Sequence, residues 1–333
     1  MKFFFLIIFI PMVLFFYQGA MAQSINQTVQ TALDNNESLK SQKKLVDNSY
    51  QNFLIQSGKL VPNLSLNLTG NRSSNFDTNQ ETDSYSISVN SSYMLFDFGS
   101  LNAKKKSAQQ LNDVSKISFS KLENDLILSV SKVHLELFKA IKIVELYENS
   151  LEVRKQQFLA VKNRFDLGEA TKSDLLRSKA SISSAEAQLK VGQANVEKFR
   201  AGYKTLVGKT PQNPKLPQRI MKEPPLLDTM IRVAVKNDLG LKILMLEEQA
   251  LKEELSSTEK SRLPNLSLSG GLSYGDSQTL GSNSSSGRIS LTSNLTLYSG
   301  GQKKAQVKIA SNNLAAKAID IAVRKKILER DVA

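Results

Sequence analysis

Pro62-Asn63-Leu64-Ser65-Leu66 returns as Pro264-Asn265-Leu266-Ser267-Leu268, and Leu95-Phe96-Asp97-Phe98-Gly99 returns as Leu297-Tyr298-Ser299-Gly300-Gly301. The offset is constant at about two hundred residues. It holds upstream as well, where Val29, Ala32, Asn35 and Leu39 meet Ile231, Ala234, Asn237 and Leu241. Chance likeness does not keep register over roughly seventy residues, so the chain is built from two copies of one unit and its fold is pseudo-symmetric.

Between those landmarks the residues alternate. From Tyr85 the odd positions are Tyr85, Ile87, Val89, Ser91, Tyr93 and Leu95, and the even ones are Ser84, Ser86, Ser88, Asn90 and Ser92. A period of two with one apolar and one hydrogen-bonding face predicts a β-strand. The same alternation sets Leu64, Leu66 and Leu68 against Ser65, Asn67 and Thr69, and Leu266 and Leu268 against Ser267 and Ser269. It recurs a fourth time in Ile289, Leu291, Leu295 and Leu297 against Ser290, Thr292, Asn294 and Thr296. Four strands in two hairpins are predicted, with polar loops over Gly70 to Asp83 and Tyr274 to Gly287. Each strand has about ten residues or more, enough to cross a bilayer at a tilt. Alternation alone fits a soluble sheet with one wet face as well as it fits a membrane barrel. Four strands cannot close a barrel, however, and lipid tolerates no open edge, so a membrane-spanning version needs several chains to pool their strands.

From about Leu101 to Val207 the chain has no proline and few glycines, and its apolar residues step by threes and fours. Leu122, Leu126, Val130, Val133, Leu137, Ala140, Val144 and Tyr147 mark a first seam; Ile182, Ala185, Leu189, Val196, Phe199 and Tyr203 mark a second, with Gly192 in it. This predicts a coiled-coil hairpin of two long helices, the first on the order of 100 Å. Gly168 suits a left-handed C-terminal cap, and Thr171-Lys172-Ser173-Asp174 reads as a capping box opening the return helix. Five prolines between Gly208 and Pro225 mark an extended crossing. The predicted organisation is a signal peptide over 1–22, a first repeat over 23–207, a Pro-rich linker over 208–225 and a second repeat over 226–333.

The signal peptide is read from Lys2, the apolar run Phe3 to Phe16 and the small-x-small site Ala20-Met21-Ala22; the run is too short for a spanning helix. Without cysteine, no lipid attachment, disulfide or thiolate site is available. The net charge of +13 does not point to nucleic acid, because export removes that partner and the lysines lie along helices without an aromatic platform. A solvated helix surface accounts for the lysines, and Lys104-Lys105-Lys106 and Lys303-Lys304, just after the strands in both repeats, could meet anionic head groups at a membrane face. An enzyme is not expected. His134 is the only histidine, placed on a helix surface or in the seam, and neither a catalytic triad nor a metal site can be assembled. No cofactor is predicted.

With its duplicated strand entries and exits, and with Arg164-Phe165-Asp166-Leu167-Gly168-Glu169-Ala170-Thr171-Lys172-Ser173-Asp174-Leu175-Leu176, the chain resembles the outer membrane efflux protein (TolC) family. That string is similar to the family's (Tyr/Phe)-x-x-Gly-x-x-x-x-x-Asp-(Val/Leu)-Leu signature. The resemblance implies an α+β membrane protein: a homotrimer whose pooled strands close a 12-stranded barrel above a periplasmic helical duct. It also implies passive export, energised by an inner membrane pump through a periplasmic adaptor protein that docks on Leu167, Gly168, Glu169, Ala170 and Thr171. In such a barrel Tyr85, Ile87, Val89, Tyr93, Leu95, Ile289, Leu291, Leu295 and Leu297 face lipid, and Ser86, Ser88, Asn90, Ser290, Thr292 and Asn294 line the lumen. Efflux and type I secretion are both served by this family. Against the pattern, Ala333 falls in mid-helix by the repeat, which predicts a fragment lacking the family's gating positions. The competing readings are a periplasmic adaptor, a structural coiled-coil protein, or a non-functional fragment of a duct.

Overall fold

The computed structural model describes residues 24–211, 214–216, 225–277 and 282–333; the predicted signal peptide and part of the Pro-rich stretch lie outside these. Its elements follow the repeat. The first copy runs α1 (Ile25–Asn35), α2 (Glu37–Gly58), β1 (Asn63–Asn75), β2 (Gln80–Phe96), α3 (Ser100–Asp166) and α4 (Lys172–Val207). The second runs α5 (Leu227–Asn237), α6 (Leu239–Lys260), β3 (Asn265–Ser277), β4 (Ser282–Asn294) and α7 (Gln302–Val332). Among the described residues no helix is long and apolar enough to cross a membrane.

Local chemistry sets the boundaries. Ser24 and Gln27 form a reciprocal capping box that opens α1. Pro62 and Pro264 cannot donate to a helix or ladder and stand immediately before β1 and β3. At the strand exits, Gly99 and Gly301 take φ values of +81° and +82°, and the residue before each is also left-handed: Gly300 at +59° but Phe98 at +55°. Phenylalanine is unfavourable there. The Asp97 carboxylate holds the turn by accepting from the N–H of Gly99 (3.0 Å) and of Leu101 (2.6 Å), and the Phe98 ring packs on Phe96 at 4.7 Å between centroids.

The four strands make one antiparallel sheet in the order β1-β2-β3-β4, so the β2–β3 pair joins the hairpins of the two repeats. The ladders are longer than the alternation suggests. The first predicted loop is reduced to residues 76–79, since Arg72 pairs with Asp83 and Asn75 with Gln80. Main-chain hydrogen bonds zip the hairpin regardless of the polar side chains along it. Asn75 Oδ1 accepts from the N–H of Asp77 and Thr78, and Asn79 takes the left-handed conformation that closes the turn. In the second hairpin, Tyr274–Ser277 and Ser282–Gly287 are likewise strand rather than loop.

By packing, the chain divides into two compact units. One contains α1, α3 from Glu123 onward, and α4. Its buried residues include Val130, His134, Leu137 and Ala140 of α3 and Ala185, Gly192, Val196, Tyr203 and Val207 of α4. Gly192 is required where it stands: a Cβ there would lie 2.9 Å from the Tyr147 ring. His134 is fully buried. Its Nε2 meets the carbonyl of Lys215 at 3.1 Å, and since a carbonyl only accepts, that nitrogen carries the proton. Nδ1 lies 3.1 Å from Thr28 Oγ1, which is also 3.2 Å from the Tyr203 hydroxyl and 3.1 Å from Ser24 O. Burial pushes the Tyr203 phenol above its ordinary range, against the opposing effect of the Thr28 hydrogen bond.

The other unit holds α2, the start of α3, the sheet and α5 to α7. Leu241, Ile321 and Leu328 form a small core with Val235 and Leu244 beside it. At its edge Asp238 accepts from the N–H of Leu241, capping α6, and receives two hydrogen bonds from Arg324 of α7 at 3.1 and 2.7 Å. The Arg324 hydrogen bonds hold the Asp238 carboxyl below its usual range. Its contribution to stability is therefore fully present above the unfolded carboxylate's pKa, about 3.9, and is lost as pH falls through the lower folded value. Arg324→Ala is expected to cost about 1–2 kcal/mol at neutral pH, toward the lower figure given the partial exposure of the pair. Thermal melts of both proteins should differ at pH 7 and converge at a pH acid enough to protonate Asp238.

Candidate functional site

The chemistry of this chain lies in surfaces, and the first is the sheet. Directly paired residues share a face, so the registers define rows across all four strands. Leu66, Val89, Leu272 and Gly287 form one row; Leu68, Ile87, Tyr274 and Ser285 form the next; Leu64, Ser91, Gly270 and Ile289 form a third. Tyr93, Leu268 and Leu291 extend this face. It is apolar and open: Leu64, Leu68, Leu272 and Ile289 are each at least 70% exposed. An apolar surface of this extent on a soluble monomer would drive association.

The opposite face is hydrogen-bonding along most of its length, with Met94, paired with Ser267, as a large apolar side chain near the strand exit. Its rows include Asn67, Ser88, Ser273 and Ser286, and Asn63, Ser92, Ser269 and Ser290. Asn63 Oδ1 accepts from the Ser92 hydroxyl, Asn90 Nδ2 donates to Ser88 Oγ, and the hydroxyls of Ser273 and Ser286 lie 2.8 Å apart. Among the described residues, charges appear on the apolar side only toward the turn end, where Arg72 pairs with Glu81 (2.7 Å) and Asp83 (3.4 Å) and Asp276 stands opposite Tyr85. They bound the apolar band. Strands of 13 to 17 residues exceed it, as expected of strands that emerge from a bilayer.

Most of the predicted sheet residues fall in this pattern. Tyr85, Ile87, Val89, Tyr93, Ile289 and Leu291 share the apolar face, and Ser86, Ser88, Asn90, Ser290 and Thr292 share the polar one. Asn294 is the last residue of β4, paired with Asn265. Two features depart from a simple alternation. Register shifts between Met94 and Phe96, so Leu95 sits in a bulge and Phe96 takes the place opposite Leu266. Two residues against one is how a strand bends locally. Leu295 and Leu297 lie beyond the end of β4 and have no partner strand among the described residues, though both are exposed.

The second surface is the turn between α3 and α4. Gly168 takes φ +78°, donates to Phe165 O, and is followed by Glu169 N–H to Arg164 O, which ends α3 in a left-handed cap. Thr171 and Asp174 then form a reciprocal capping box, and the Thr171 hydrogen bonds hold the Asp174 carboxyl below its ordinary range. The turn gathers the five predicted contact residues within one bend. It leaves Leu167 at 74% and the nearby Leu176 at 57% exposure, two large apolar side chains at a tight polar turn.

A sheet with an exposed apolar face and, among the described residues, unpaired outer edges, together with a long helical hairpin, has known relatives. The family model for outer membrane efflux proteins matches residues 28–208. Outer membrane efflux protein BepC of Brucella suis is 22% identical over 311 residues, covering 92% of this chain and 67% of that one. Outer membrane protein TolC of Vibrio cholerae is 21% identical over 326 residues, covering 93% and 73%. Among solved structures, the CmeC outer membrane channel of Campylobacter jejuni superposes with a TM-score of 0.79 at 16% identity, covering 90% of this chain and 67% of that one.

Proposed function

This chain belongs to the outer membrane efflux protein family, and we propose that it is a passive outer membrane exit duct of a tripartite efflux or type I secretion system. The observation that carries the reading is the open four-stranded sheet with one lipid-compatible face, one hydroxyl-lined face and two edges, β1 and β4, unpaired among the described residues. In a bilayer those edges must be satisfied. Three copies pooling their strands close a barrel, with the leucine rows toward lipid and the serine and asparagine rows toward water. The residues past Asn294, including Leu295 and Leu297, then extend β4 against β1 of the next copy. Export needs no reaction in this chain, because a pump in the inner membrane supplies the energy through a periplasmic adaptor.

Docking of the adaptor falls to Leu167, Gly168, Glu169, Ala170 and Thr171. Support comes from Leu167 and Leu176, whose exposed side chains offer apolar purchase at a turn held by a left-handed cap and a capping box. An adaptor in place of the duct would leave the duplicated strands without a role. The test is the native mass of the protein extracted from outer membranes. A detergent-bound trimer is expected; a buffer-soluble monomer overturns the duct. Leu167→Glu is expected to reduce export-dependent resistance while leaving the trimer intact, and unchanged resistance would remove the turn from the contact.

A further inference from the structure

Among the described residues, the whole polar face of the sheet carries one charged side chain, Arg288. Its orientation follows from register: Ser65, Asn90, Gly271 and Arg288 stand opposite one another from β1 to β4. Its neighbours Gly287 and Ile289 belong to rows of the apolar face. The contrast with Arg72 is informative. Arg72 is held by Glu81 and Asp83 at the turn end, whereas Arg288 is exposed and has no carboxylate or hydrogen-bond partner among the described residues.

What surrounds Arg288 is neutral, and mostly serine and asparagine. A groove on this face is lined by Asn63, Ser88, Asn90, Ser269, Ser273 and Arg288, without an acid. Gly271, directly across from Arg288, is part of the arrangement. A Cβ there would stand 2.5 Å from Asn90 Oδ1, so the glycine lets the Asn90 amide lie over β3 and keeps the groove open toward the guanidinium. A free guanidinium with hydroxyl and amide donors, and no competing carboxylate, is the chemistry that receives a carboxylate, phosphate or sulfate.

We propose that Arg288 is an anion-selecting station on the water-facing wall of the duct, favouring passage of anionic solutes; this rests on the duct reading above. The repeat places Ser86 at the equivalent position of the first copy. A trimer therefore presents three arginines alternating with three serines at one level of the barrel. In a confined aqueous bore such a ring raises the local anion concentration and lowers that of cations, most strongly at low salt.

The experiment is a reversal-potential measurement in planar bilayers with the purified protein under a potassium chloride gradient. Arg288→Gln is expected to lower the chloride-to-potassium permeability ratio by about threefold or more, and Arg288→Lys to retain it. Ser86→Arg, which doubles the ring, should raise it. Because the chain has no cysteine, Arg288→Cys gives a single labelling site. A trimethylammonium thiosulfonate should restore the ratio, and a sulfonate reagent should push it further toward cations. Conducting channels whose selectivity is unmoved by Arg288→Gln, or an Arg288→Cys variant whose thiol water-soluble reagents never reach, would overturn the anion station and leave the duct standing. A wild-type protein that never conducts would remove the duct reading and this inference together.

Discussion

Arginine at Val89 or at Leu291 is expected to prevent stable insertion into the outer membrane, whereas arginine at Ser88 or at Thr292, one residue away, is expected to be tolerated. Val89 lies between Leu66 and Leu272 in the middle of the apolar band, and Leu291 lies opposite Leu268. A cation on the lipid face near the midplane costs roughly 2–4 kcal/mol per site, and a trimer carries the change three times. On the polar face, proposed to line water, the same side chain would keep its hydration, and Arg288 of the natural sequence stands exposed on that face. Folding into vesicles, followed by heat-dependent gel mobility, measures the difference. Equal tolerance on the two faces would rule out the barrel, because only lipid makes the faces unequal for a charge.

Tyr203→Ala is expected to cost about 3–5 kcal/mol, the range for removing a large buried ring, and to loosen α1 from α4. Tyr203 is 1% exposed, and its hydroxyl reaches Thr28, which is itself fully buried beside His134. Tyr203→Phe separates packing from polarity. It should cost only about 1–2 kcal/mol, because the Thr28 hydroxyl keeps its other partners, Ser24 O and His134 Nδ1. Thermal unfolding in detergent, with protease cleavage near Ser24 as a local readout, distinguishes the two. Loss of the ring with no change in either measurement would show that the cluster does not hold α1. The effect is confined to the helical unit, so insertion of the sheet should be unaffected by either substitution.

Both expectations rest on patterns of different legibility. Val89 and Leu291 are readable as apolar positions because a strand repeats every two residues, and no neighbour is needed to see the alternation. The seam residues Val130, Leu137, Ala140, Ala185 and Val196 are readable for the same reason at a helical period, and all are buried. The cluster around His134 is not. Thr28, His134, Tyr203 and the Lys215 carbonyl come from four separated stretches, and no periodicity in any one of them points to the others. The bulge at Leu95 is equally hidden, since an alternating string gives no sign of where two residues will oppose one. The turn ends read as loops because their composition is polar, whereas ladder hydrogen bonds are made by the backbone and ignore composition.

The duplicated plan is legible in the string itself, and residues a few positions apart suffice for the strand and helix types, the caps at Gly168 and Thr171, and most of the side chains that share a face. Beyond that reach lie the pairing of β2 with β3, the register slip at Met94–Phe96, the lack of a carboxylate beside Arg288 among the described residues, and the closing of His134 over Thr28. Those outcomes are set by contacts between segments far apart in the chain. Their free energies depend on the geometry of both partners at once, and a one-dimensional pattern carries only one partner at a time.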